Sequence, residues 1–82
     1  MGARAQFPQF DHLTAAEVAR LLNLSKLSRE DKEIAAQCIV WRMDYADVGE
    51  YVHMDRRTVA RKMQKDILPE LERMLERMKA GA

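Results

Sequence analysis

A single cysteine, Cys38, in 82 residues removes most of the ways in which a short chain can be held together. No internal disulfide can form, no zinc set of Cys and His can be assembled, and there is no secretory disulfide framework. A packed apolar core has to hold the fold, and a reducing cytoplasm is the expected location. The sequence is 48% apolar and 33% charged with three glycines and two prolines, a balance that suits packed helices. Its length allows one compact domain of four or five helices but not a deep enclosed active site. No apolar run approaches the length of a membrane span, and residues 1–10 lack a basic-then-apolar signal pattern.

Helical punctuation divides the chain. Residues 1–13 have no period and read as an arm that Phe7 and Phe10 pin to the domain. Thr14 followed by Glu17 matches a capping box, and Val18, Leu21 and Leu22 mark the buried stripe of a first helix ending near Asn23. Ser28 followed by Asp31 is a weaker version of the same box and starts a second helix from about Arg29 to Met43. Ile34, Cys38, Trp41 and Tyr45 share one side of it, and Ala36, Ile39, Val40 and Met43 much of the other, so this helix should be the central one, with Cys38 and Trp41 in the core. A short helix, Tyr45 to Val52, a turn at His53 and Met54, and a helix capped by Asp55 and reaching Ile67 complete residues 14–67. Pro69 should break or kink the chain at Leu68 before a last helix, Pro69 to Lys79, with Gly81 just past its end.

The segment from Asp47 to Val59 meets the demands of a helix-turn-helix, here about residues 45–66. Val48 and Val52 lie one turn apart, Met54 plugs the turn, and Val59 with Met63 gives the second helix its inner face. Gly49 supplies the close approach of the two helices, the reason for accepting a helix-propensity cost of about 1 kcal/mol. His53 stands where a left-handed backbone is expected and Gly would be easier. Charge points the same way: residues 51–67 carry five Lys or Arg against two acids, whereas residues 1–50 carry six against eight and residues 68–82 three against three. On the second helix Arg57, Thr58, Arg61 and Lys65 cluster opposite the apolar face, flanked by Arg56 and Gln64. Guanidinium groups there can bind guanine O6 and N7 or phosphate oxygens, while Lys62 and Lys65 can neutralise backbone charge. Double-stranded DNA is the expected partner, with the helix of residues 55–67 in the major groove and Arg57 and Arg61 on base edges.

A second stretch, Leu13 to Ser25, looks like the first half of a helix-turn-helix of the kind seen in excisionases and mercury-resistance-type regulators. Aligning Val18 with Val48 puts Arg29 where Val59 stands, so a charge would occupy the angle-holding core position. Thr14 to Leu24 is therefore read as a packing helix.

The run Leu27-Ser28-Arg29-Glu30-Asp31-Lys32-Glu33-Ile34, continuing through Met43-Asp44-Tyr45-Ala46-Asp47-Val48-Gly49 to Arg56-Arg57-Thr58-Val59, resembles region four of bacterial sigma factors and its relatives in phage and mobile-element regulators. The resemblance covers about half the chain. It implies a leading helix that supports a helix-turn-helix reading promoter DNA, with Arg56, Arg57, Thr58 and Arg61 as DNA-reading residues and RNA polymerase as a further partner. There is no room for the other sigma regions, so it implies a sigma-like regulator rather than a working sigma factor.

Two function classes follow from these residues. The first is a sequence-specific DNA-binding regulator, expected to act as a homodimer through Leu68, Leu71, Leu75 and Met78 of the last helix, the alternative being that this helix folds back on Trp41 and Met43 and covers its seam within the chain. The second is a protein-interaction module, an inhibitor or polymerase-binding adaptor, that uses the same helices against a protein. An enzyme is disfavoured for want of a nucleophile, base and orienter set. No cofactor is implied, and with only His12 besides His53 a metal site has little support.

Overall fold

The computed structural model describes residues 7–80, and all regular structure among them is helical. A 3-10 turn, Pro8–Phe10, precedes α1 (Ala15–Leu24). Helix α2 (Arg29–Ala35) runs directly into a π-wound segment, Ala36–Val40. Then come α3 (Tyr45–Val52), α4 (Arg56–Arg61), a second π-wound segment (Lys62–Ile67) and α5 (Leu68–Ala80). No described helix is long and apolar enough to cross a membrane. The part of the expected arm formed by residues 1–6, and the expected stop at Gly81, lie outside the described residues.

Helices α1 to α4 each start where a side chain satisfies amide donors that the first turn leaves free. Thr14 forms the expected reciprocal box: its hydroxyl accepts from the Glu17 amide at 3.1 Å, and its own amide donates to the Glu17 carboxylate at 2.9 Å. Ser28 accepts from the Asp31 amide at 3.1 Å and Asp55 from the Arg57 amide at 3.1 Å. Asp44 does the same for α3, accepting from Asp47 at 2.8 Å. The core gathers Val18, Leu21 and Leu22 of α1, Ile34, Ala35 and Cys38 of the second helix, and Val48 and Val59 of the helical pair. Met63, Ile67, Leu71 and Leu75 complete it from the C-terminal helix, and Phe10 closes it from the N-terminal turn.

Three expectations are corrected. The chain does not break at Leu68: that residue is helical (φ −60°, ψ −44°), and one helical path runs from Arg56 to Ala80. The π turn makes this workable, because the Leu68 amide donates five residues back to the Met63 carbonyl, and Pro69, with no amide hydrogen to give, sits where the wider winding ends. Helix α2 with its π segment ends at Val40 rather than Met43, and Trp41 is 70% exposed rather than core. Wider winding over residues 36–40 turns each residue by less than the α-helical ~100°, which carries Trp41 off the face shared by Ile34 and Cys38. Finally, the apolar seam of the last helix is covered within the chain. Leu71 and Leu75 are buried, the Lys26 amide donates to the Glu70 carboxylate at 3.0 Å, and Gln9 donates to Glu72 at 3.3 Å. Only Met78 of that seam stays largely exposed, so the seam is not free for a second copy.

Candidate nucleic-acid interface

The helical pair is built around a glycine. Gly49 is buried on α3, and a Cβ placed there would lie 2.5 Å from the Met54 carbonyl oxygen and 3.4 Å from the Arg56 amide nitrogen. Backbone thus meets backbone at the turn, which is why only Gly fits. His53 takes the left-handed conformation (φ 61°, ψ 46°), and the Met54 amide donates to the Gly49 carbonyl at 2.8 Å. This closes α3 with a Schellman-type bond, His replacing the usual glycine. Val48 and Val59 are fully buried, with Val52 and Met54 half-buried beside them, as the helix-turn-helix reading requires.

The second helix of the pair comprises α4 and the π-wound segment after it. Val59, Met63 and Ile67 point into the core, and Arg56, Arg57, Arg61, Gln64 and Lys65 are exposed. Among the described residues none of Arg56, Arg57, Arg61 or Lys65 forms an ion pair. Their charges therefore face solvent without internal compensation, an arrangement that attracts phosphate. Thr58 is half-buried.

Lys62 departs from the expected set. Its ammonium lies 3.1 Å from Asp31 Oδ1 and 3.9 Å from Glu30 Oε1, both on α2. It faces the supporting helix rather than the outer surface, so its charge is not free for a phosphate. Sequence reasoning missed Asp31 and Glu30 as its partners. Thirty-one residues separate Asp31 from Lys62, and no local spacing signals so distant a pair.

The face of α3 has the opposite sign. Ala46, Asp47, Glu50 and Tyr51 are exposed along it, and neither Asp47 nor Glu50 is ion-paired among the described residues. Arg42, just before this helix, holds a second left-handed backbone (φ 55°), so a non-glycine residue in that conformation brackets α3 at each end.

Away from the helical pair, a groove of 560 Å³ runs between the N-terminal turn and the end of the second helix, lined by Phe7, Leu13, Ile39, Val40, Asp11 and Arg42. Cys38 also borders it. Burial, aided by the nearby Asp44 carboxylate, pushes the Cys38 thiol up to about 12, so it is not a nucleophile at neutral pH. The Tyr45 hydroxyl is raised too, first by burial and then by Cys38. No group of three or more His, Cys, Asp or Glu side chains capable of holding a metal occurs among the described residues.

No protein-family model matches the chain, and no curated protein or solved structure shows significant similarity to it.

Proposed function

We propose that this chain is a sequence-specific DNA-binding transcriptional regulator that inserts α4 and the following π-wound turns into the major groove. The observation that carries the reading is a tightly closed helical pair, fixed by Gly49 against the turn, whose second helix turns four uncompensated cations and Gln64 to solvent. Arg57 and Arg61 read base edges, Arg56 and Lys65 hold phosphates, and Gln64 supplies a further donor and acceptor. The likeness to sigma region four adds RNA polymerase as a further partner and a phage or mobile-element setting, and the single buried thiol suits the cytoplasm. A homodimer reading two half-sites would have to use a surface other than Leu71 and Leu75, which the chain buries itself.

A second reading, a protein-interaction module, draws on the acidic outer face of α3 with Tyr51 exposed upon it. Selection of sites from random duplex DNA, followed by titrations of the selected and a scrambled duplex across salt, separates the two. The DNA reading expects an enriched site and a log-log salt slope of about −2, from the phosphate contacts of Arg56 and Lys65. No enrichment and no slope would leave the protein-interaction reading in its place.

A further inference from the structure

We propose that Asp31 is a positioning residue for the DNA-reading helix, acting through Lys62; this rests on the DNA-binding reading above. Asp31 lies in the first turn of α2, where Ser28 caps its amide, and that helix is anchored in the core by Ile34 and Ala35. Its carboxylate meets the Lys62 ammonium at 3.1 Å, with the two side chains 13% and 28% exposed. Glu30 adds a more exposed contact at 3.9 Å.

The grip falls at a particular place. Lys62 is the first residue of the π-wound segment, where the winding of the recognition helix changes. In a uniform α-helix, residues at four-residue steps drift around the axis by roughly 40° per step. Arg57, Arg61 and Lys65 stand at such steps, as do Val59, Met63 and Ile67. Wider winding from Lys62 to Ile67 takes out much of that drift over the second step, so Lys65 stays close to the line of Arg61 while Met63 and Ile67 stay in the core. A tie from α2 to the first π residue fixes the rotation of the row that would meet DNA. A partly exposed ion pair adds little stability, so its main effect is on that geometry. The pair also withholds one cation from phosphate.

The test compares the parent with Asp31→Asn, Lys62→Met and the exchange Asp31→Lys with Lys62→Asp. Each is titrated with a duplex selected by the parent and with a scrambled one, across salt, after correcting for folded fraction by circular dichroism melts. Asp31→Asn frees Lys62, so discrimination between the duplexes should fall severalfold, by no more than about fivefold, and the salt slope should steepen by about one contact. Lys62→Met should lose discrimination without steepening the slope, and the exchange should restore discrimination. A tie that only stabilises the fold would lower affinity for both duplexes in proportion to unfolding. A parent-like ratio and slope in Asp31→Asn would therefore overturn the positioning role. A parent that shows no salt-dependent DNA binding would overturn the DNA reading itself, and the role of Asp31 with it.

Discussion

Gly49 and Met54 are joined twice: the Met54 amide donates to the Gly49 carbonyl at 2.8 Å, and the Met54 carbonyl oxygen stands 2.5 Å from where a Gly49 Cβ would be. The first contact closes α3, and the second leaves no room for a side chain. Alanine at this position gains about 1 kcal/mol of helix propensity but forces one backbone away from another. The loss should exceed the gain, leaving Gly49→Ala less stable by roughly 1 to 3 kcal/mol. Urea melts measure it, and an unchanged or raised midpoint would mean that the turn yields more easily than its geometry implies.

His53 gives a prediction of opposite sign. Its left-handed backbone (φ 61°) costs a residue with a Cβ about 1 to 2 kcal/mol, and its side chain is exposed, so little packing is lost on removal. Glycine relieves the strain at some expense in unfolded-state entropy. His53→Gly should therefore stabilise by about 0.5 to 1 kcal/mol, raising Tm by several degrees in a domain of this size. A lower Tm would show that the imidazole contributes something its exposure does not reveal.

The connection between the α1–α2 loop and α5 should be lost in acid. Glu70 accepts from the Lys26 amide and pairs with Arg73, and these contacts, the amide first, hold its carboxyl below the ordinary value of 4.5. Because folding lowers this pKa, the stabilisation is fully present above the unfolded value and disappears as pH falls through the folded one. Stability should drop below about pH 4.5, and Glu70→Gln should flatten part of that drop while lowering stability at neutral pH. Glu17, held down by its bonds to Thr14, contributes a drop of the same sign that Glu70→Gln leaves in place. An acid profile identical in parent and Glu70→Gln would remove the assignment.

What could be read in advance was local. Thr14 with Glu17, the helix Tyr45–Val52, the turn at His53 and the cap at Asp55 all depend on residues within a few positions of one another, and all are found where the residues imply. The close approach at Gly49 was legible because a helix tolerates glycine poorly without a reason. Winding was not legible. A helical wheel of fixed angle put Trp41 beside Cys38, and the π turn over Ala36–Val40 moves it into solvent. Pro69 signalled a break that wider winding absorbs. One clue was present: Val59, Met63, Ile67, Leu71 and Leu75 stand four residues apart, a spacing too long for one stripe of a straight α-helix. In the candidate site, exposure of Arg56, Arg57, Arg61, Gln64 and Lys65 followed from the pattern, but the turning of Lys62 toward Asp31 depended on tertiary packing.

That same four-residue row changes what Leu71 should do. Expected at an interface between copies, it is fully buried within the chain. Leu71→Ala should cost roughly 2 to 5 kcal/mol, with a denaturation midpoint that does not depend on protein concentration. Leu71→Glu should unfold the protein. A folded Leu71→Glu variant that differs from the parent only in sedimentation would return this helix to the role of an interface.

The outer row of the proposed DNA-reading helix yields the last prediction. Arg57, Arg61 and Lys65 are exposed and free of ion pairs among the described residues, yet their chemistry differs. A guanidinium can fork onto O6 and N7 of one guanine, whereas an ammonium is a point charge that any phosphate satisfies. Arg57 lies in the first turn of α4, one residue after Arg56, and Arg61 follows a turn later, placing both in the part of such a helix that enters the groove first. Arg57→Ala and Arg61→Ala should each weaken binding to the selected duplex by roughly 1 to 3 kcal/mol and relax base preference at one position. Lys65→Ala should weaken selected and scrambled duplexes alike and reduce the salt slope by about one. Because all three side chains lie outside the core, melting temperatures should stay near the parent value, so lost affinity can be read as lost contact. Unchanged affinity for the selected duplex in both arginine variants would remove this face from the interface.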